Sequence, residues 1–132
     1  MATHGGEDDP WAELVVSVLS VNNYSLEKTY AAFDRLKDAG IFDPKNLDRW
    51  ELSEITKRLH EAGYNRGPFM MNIFAERLAA LGRFAASHGI EACETVLRGT
   101  DAARIEGMLT CIKGIGPRVL ENFFLLMGIT RA

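Results

Sequence analysis

The sequence predicts an all-α fold of seven to eight helices. Apolar residues recur every three or four positions along most of the chain, which is the period of a helix with one buried face. No stretch alternates apolar and polar residues over the length of a strand. Proline, glycine and short polar residues separate the periodic segments, where helices begin and end. The chain has 132 residues, the length of one domain.

Four helices are predicted in the first half of the chain. Residues 1–9 carry several acids and few apolar side chains, so we expect a disordered acidic tail there. The helix starts carry proline, which suits a first turn, or a serine or aspartate that accepts hydrogen bonds from first-turn amides. In order, the four helices begin at Pro10, span 26–38 after Ser25, run from Asp43-Pro44 to about Trp50, and run from Ser53 to Gly63.

Four more helices are predicted in the second half, and three of them are closed by a glycine. The longest runs from about Pro68 to His88, and its apolar positions include Phe69, Ile73 and Leu78. The other three span 91–98, 101–111 after a cap at Thr100 or Asp101, and 117–127. Residues 10–132 are therefore expected to form a single helical domain.

Charge is distributed unevenly along the chain. The net charge is −3, yet residues 57–132 hold 10 basic residues against 7 acidic ones, and residues 1–56 hold 5 against 11. Such an asymmetry is compatible with one basic face on an acidic protein. It leaves nucleic acid open as a partner.

The composition also indicates a compartment. The first residues carry acids where a signal peptide would carry bases, and no apolar run approaches the roughly 20 residues that span a bilayer. Cys93 and Cys111 form no CxxC pair and cannot complete a four-cysteine site, so no iron–sulfur cluster is expected. We expect a cytoplasmic protein that makes no membrane contact.

The segment CIKGIGPRVLENFF joins the last two predicted helices through a very short turn. Gly114 and Gly116 suit backbone torsions that other residues reach only with strain. Without side chains they also leave the amides at the start of the next helix bare. Such a helix start binds phosphate readily, and Lys113 and Arg118 would add positive charge beside it. The alternative is a plain helical hairpin whose glycines only make the turn.

An apolar helix, a glycine turn and a second apolar helix follow one another in MLTCIKGIGPRVLENFFLLMG. This segment closely resembles the helix-hairpin-helix DNA-binding motif, with the hairpin at about residues 101–128. Two earlier segments are similar to the opening helix and a later helix start of the endonuclease III-like DNA glycosylase superfamily: LVVSVLSVNNYS and LHEAGYNRGPFMMNIFAERLAAL. The resemblance spans about residues 10–128 and implies a helix-hairpin-helix glycosylase-like domain.

This resemblance implies roles for the residues of the turn. The amides of Gly114, Ile115 and Gly116 would hold a phosphate of double-stranded DNA. The carbonyls of Thr110, Ile112 and Ile115 would match those that hold a monovalent cation, sodium or potassium, in some family members. No other cofactor is implied.

Two positions outside the turn are also implied. Asn22 falls near the family's wedge residue, which fills the gap left by a flipped base. The alternative for Asn22 is an ordinary residue of a helix-ending loop. Arg66 and Tyr64 follow a helix stop and would line a base pocket or contact phosphate, although a partly buried core position suits Tyr64 equally well.

The chain departs from the family's catalytic pattern at two points. Arg118 stands where members that also cut the DNA backbone carry a lysine, and a guanidinium cannot readily form a Schiff base, so lyase activity is not expected. The family's catalytic aspartate would lie beyond Ala132, and the last carboxylate is Glu121. Its spacing from Arg118 indicates a surface ion pair. Glu13, in the first helix, is expected outside any base pocket.

Three functions follow as hypotheses. The first is duplex DNA binding by the hairpin, related to base excision repair and with a degenerate catalytic site, in a nucleoid-associated protein. The second is an active monofunctional glycosylase that removes a damaged or alkylated base. The third is a module whose hairpin packs on a protein partner. A partner chain could also supply the missing acid.

Overall fold

The computed structural model describes residues 9–21 and 24–129, and these form nine helices and no strand. The prediction of an all-α fold is confirmed. The helices are α1 Pro10–Leu19, α2 Leu26–Tyr30, α3 Phe33–Asp38, α4 Pro44–Arg49, α5 Leu52–Glu61, α6 Pro68–His88, α7 Ile90–Arg98, α8 Ala102–Leu109 and α9 Pro117–Met127.

Helix caps account for several of these starts. The side chain of Asp9 accepts a hydrogen bond from the Trp11 amide at 3.0 Å, so Asp9 caps α1. The sequence pattern predicted Asp9 to belong to the acidic tail. The predicted caps are confirmed at α2, α4 and α8, where the acceptors are Ser25, Asp43 and Asp101. Residues 1–8 lie outside the described part of the chain.

The single helix predicted at 26–38 is wrong, because the chain forms α2 and α3 instead. Ala32 has φ −105° and ψ 10°, and its amide bonds to Thr29 three residues earlier instead of four. The buried Thr29 hydroxyl accepts a hydrogen bond from Ser20 at 2.7 Å, which ties this turn to the end of α1. A tertiary contact therefore accompanies the break in a periodic segment. With this break the described chain has nine helices, where seven to eight were predicted.

Helix α1 lies at the centre of the fold, and each of its residues is buried. It packs against α9 on one side and against α2, α6 and α7 on others. The long helix α6 packs against α4 and α5. At Gly82 a Cβ would lie 2.5 Å from the Asp48 backbone nitrogen, so only glycine permits this approach of α6 to α4. The buried apolar side chains form one cluster to which these helices contribute.

None of the helices in the described part of the chain is both long and apolar enough to cross a membrane.

Candidate nucleic-acid interface

The turn between α8 and α9 is anchored in the core by its two isoleucines. Ile112 and Ile115 are buried, whereas Lys113 and Gly114 between them are exposed. Helix α8 ends at Leu109 and not at 111 as predicted, because the amides of Cys111 and Ile112 bond to carbonyls three residues earlier. The Ile115 amide bonds in the same way to the Ile112 carbonyl at 3.2 Å. The turn is thus tight, with its backbone held from within.

Gly114 is required by this turn. Its φ is +94°, in the left-handed region that side chains disfavour. A Cβ there would also lie 2.6 Å from Cγ of Arg77 on α6. Both the torsion and the close approach disfavour other residues, as the sequence predicted for this glycine.

Gly116 differs, and the prediction that the turn needs both glycines is wrong. Its φ of −112° and ψ of −169° are extended backbone that any residue adopts. No atom of the described chain lies within 4 Å of where its Cβ would be, apart from its own neighbours. The fold therefore gives no reason for glycine at this position.

The open space beside Gly116 borders the start of α9. Gly116 is the N-cap residue and has no side chain to accept a hydrogen bond from the first turn. Pro117 has no amide hydrogen, so Arg118 and Val119 supply the helix-start amides that have no partner within α9, and these carry a partial positive charge. An anion can approach them here without meeting a Cβ.

Two basic side chains flank this helix start. Lys113 is exposed in the turn, and the Arg118 side chain is 70% exposed in the first turn of α9. Arg118 Nε lies 3.8 Å from Glu121 Oε1, which is the surface ion pair that the spacing predicts. Exposed pairs of this kind contribute about 0–1 kcal/mol, so Arg118 can exchange Glu121 for another anion at little cost.

The Arg66 side chain contacts other residues of the protein. Its guanidinium donates to the Tyr64 hydroxyl at 3.0 Å and to the Val21 carbonyl at 3.1 Å, and it lies 4.3 Å from the centre of the Tyr24 ring. A third, longer contact of 3.4 Å reaches the Leu19 carbonyl. These contacts hold the segment that follows α1. A contact of Arg66 with DNA stays a prediction.

Tyr64 is a core residue, which decides between the two interpretations of the sequence. It is 1% exposed, and its hydroxyl donates to the Leu19 carbonyl at 2.6 Å. Its ring makes edge contacts with Phe74 and Tyr24. Burial raises the pKa of Tyr64 to about 12, and the hydrogen bond from Arg66 opposes this only in part.

Asn22 lies outside the described residues, so the predicted wedge is not placed by the structure. Its neighbour Val21 is buried and bonded to Arg66, and Tyr24 stacks under the same guanidinium. Val21 and Tyr24 are thereby both held by Arg66, which precedes α6.

Phe69 was predicted on the buried side of the long helix, and this is wrong. Its side chain is 76% exposed. At about 100° per residue, Phe69 lies opposite the buried stripe that contains Phe74 and Leu78. Anchoring the helical period on those two residues would have shown this from the sequence. The residue follows Gly67-Pro68 at the start of α6 and presents an aromatic ring to solvent.

The two acids that the sequence analysis considered each contact another side chain of the described chain. Glu13, expected outside a base pocket, is 2% exposed on α1, and its carboxylate accepts a hydrogen bond from the Tyr30 hydroxyl. Glu121 is exposed and paired with Arg118. Among the described residues, no group of three or more His, Cys, Asp or Glu side chains could hold a metal ion.

The proposed monovalent cation would depend on backbone carbonyls alone. Neutral carbonyl oxygens are suitable ligands for a hard cation. The Ile112 carbonyl accepts the Ile115 amide and retains a second lone pair. The chemistry of Thr110, Ile112 and Ile115 in this tight turn is therefore compatible with such an ion.

Comparisons of the chain with protein-family models, with curated proteins and with solved structures give no significant match.

Proposed function

We propose that this chain binds double-stranded DNA through the turn at residues 110–118. The observation that carries the proposal is Gly116. The chain's own packing does not require glycine there, and the start of α9 has neither a Cβ nor a side-chain cap at this position. A glycine that the fold does not need is explained if a phosphate approaches the backbone at this point.

The proposed contact with DNA is made mainly to phosphate. The α9 amides bind one phosphate, and Lys113 and Arg118 add charge on either side of it. Contacts of this kind position a protein on the duplex without reading its sequence. They also make the affinity depend steeply on salt.

Phe69 supports a preference for distorted or base-damaged duplexes. An exposed aromatic ring can insert where bases are poorly stacked, and the energetic cost of unstacking is lowest at mismatched or damaged sites. Asn22 would contribute the second insertion. A protein that binds DNA in this way would take part in base excision repair and would be associated with the nucleoid.

The proposed function is binding with a degenerate catalytic site. An active monofunctional glycosylase is the alternative, and a base-release assay on duplexes with one alkylated, oxidised or deaminated base separates the two. Release that depends on one lesion would establish the enzyme. Binding without release would establish a DNA reader, to which a protein partner could add the missing acid.

The monovalent cation is part of the same proposal. If sodium or potassium completes the turn, replacing both by a bulky organic cation at constant ionic strength should weaken DNA binding. The change should be absent in a variant that no longer binds through the turn.

The decisive test of the proposed function is charge removal at the turn. We expect Lys113→Gln with Arg118→Gln to lower the affinity for a 20-base-pair duplex about tenfold or more and to reduce the salt slope by about 2, because two phosphate contacts are lost. Lys37→Gln with Lys57→Gln is the matched control, since both lysines are exposed and lie on α3 and α5. Fluorescence anisotropy over a salt series measures both quantities.

Equal affinity in the two double variants would contradict the proposal. No binding by the unaltered chain at low salt would also contradict it, and would favour the protein-interaction module.

A further inference from the structure

A groove of about 730 Å³ lies directly beside the turn. Its lining comes from the segment joining α4 to α5, from the outer face of α6, and from Lys113 and Gly114. Three of its side chains are basic and three are acidic: Arg77, Arg83 and Lys113, and Asp48, Glu51 and Glu76. In the described part of the chain, none of these six belongs to an ion pair within 4 Å.

Arg77 is the best positioned of these residues. Its side chain stem packs under the turn, since Cγ lies 2.6 Å from where a Gly114 Cβ would be. Its guanidinium lies 5.6 Å from the centre of the Phe74 ring. The stem is thus held between α6 and the turn, and Arg77 and Lys113 both line the groove.

Gly114 consequently has a second effect besides its torsion. By lacking a Cβ, it allows a basic residue of α6 to approach the backbone of the turn. A guanidinium held in one place loses little side-chain entropy when it binds, and its fork of donors matches phosphate oxygens.

We propose that Arg77 and Lys113 form a second phosphate site, which binds the neighbouring phosphate of the strand held by the turn. This inference rests on the proposed function and adds to it a residue from a different helix. Arg77 would be a DNA-binding residue that the hairpin motif does not contain.

The acids in the groove confine this contact to its end at the turn. Glu76 is next to Arg77 on α6, and Asp48 and Glu51 belong to the opposite wall. A longer stretch of strand laid along the groove would meet these carboxylates. The groove therefore favours one added phosphate instead of an extended track, and Glu76 should oppose binding.

Two substitutions at adjacent positions, with opposite expected effects on DNA affinity, test the proposal. We expect Arg77→Gln to weaken duplex binding about fivefold to tenfold and to lower the salt slope by about 0.9, the value for one phosphate. Glu76→Gln should strengthen binding about twofold to threefold, because a nearby like charge is removed. Arg104→Gln is the control, since Arg104 is exposed in the first turn of α8 and does not line the groove. Thermal unfolding checks that each variant is folded.

The outcomes distinguish this inference from the proposed function. If Arg77→Gln behaves like Arg104→Gln while the Lys113 and Arg118 variant loses affinity, the second phosphate site is wrong and the hairpin proposal stands. A loss of affinity with an unchanged salt slope also overturns the site, since Arg77 would then only support the turn. If the unaltered chain binds no DNA, both proposals fall.

Discussion

Helices α6 and α9 begin in the same way, but their neighbouring side chains are placed in opposite ways. Each starts with Gly-Pro, at Gly67-Pro68 and Gly116-Pro117, and neither N-cap glycine offers a side-chain acceptor. A Cβ at either glycine would meet nothing within 4 Å in the described chain. The two starts differ in backbone torsion and in where the neighbouring side chains go.

At α6 the basic residue is turned inward and an apolar residue outward. Gly67 has φ +87°, and its amide bonds to the Asn65 side chain at 3.0 Å. Arg66 bonds to the end of α1, and Phe69 is exposed. At α9 the apolar Ile115 is buried, and the basic Arg118 is exposed. The comparison teaches that a Gly-Pro helix start has no fixed surroundings, because tertiary packing decides whether its basic residue contacts the fold or faces solvent.

The largest expected difference between the two starts is in stability. We expect Arg66→Met to lower the free energy of unfolding by about 2–3 kcal/mol, because the Val21 carbonyl and Tyr64 hydroxyl lose a charged donor and Tyr24 loses its cation. Arg118→Met should change it by less than about 0.5 kcal/mol. Urea unfolding followed by circular dichroism measures both. Equal losses in the two variants would remove the distinction.

The free energy of unfolding at alkaline pH should depend on Tyr64, which lies just before α6 and contacts Arg66. The folded-state pKa of Tyr64 is raised to about 12 from its ordinary value of 10, so its stabilising effect is complete below pH 10 and is lost as the pH rises toward 12. The total loss corresponds to about 2–3 kcal/mol. Unfolding in urea between pH 9 and pH 12, in the unaltered chain and in Tyr64→Phe, should show a weaker pH dependence in the variant. Parallel curves would mean that Tyr64 does not titrate in this window.

Alanine at the two N-cap glycines should separate them by a smaller amount. Gly67→Ala should cost at least about 1 kcal/mol of stability, because its φ of +87° with ψ of 156° is a combination that residues with a side chain rarely adopt. Gly116→Ala should be neutral or slightly stabilising, because its extended torsions suit alanine and the unfolded chain loses freedom. Thermal unfolding of both variants under one buffer is sufficient. A clear loss at Gly116 would show that the fold needs that glycine.

Local sequence signals predicted much of this structure. The caps at Ser25, Asp43 and Asp101 and the boundaries of α9 follow from side-chain chemistry and glycine placement within a few residues. Such interactions are short-range, so the sequence displays them directly. The same holds for the ion pair between Arg118 and Glu121.

The failures share a different origin. The break at Ala32 accompanies a contact with Ser20, and the inward course of Arg66 depends on carbonyls about 45 residues earlier. The difference between Gly114 and Gly116 depends on Arg77, some 37 residues before the turn. These three features are determined by tertiary contacts, which a periodic sequence pattern does not predict. The exposure of Phe69 is the exception, because the helical period alone was sufficient to place it.

The central claim is that Gly116 leaves the α9 start open for DNA phosphate, and one pair of variants tests it most directly. Gly116→Val places a branched side chain over the first amides, whereas Gly107→Val on α8 adds the same atoms where a Cβ also meets nothing within 4 Å. Both variants should keep the unaltered thermal stability within a few degrees. We predict that the duplex affinity falls about tenfold or more only for Gly116→Val, since the phosphate contact at the amides is lost. Equal affinities for the two variants, with both folded, would contradict the claim.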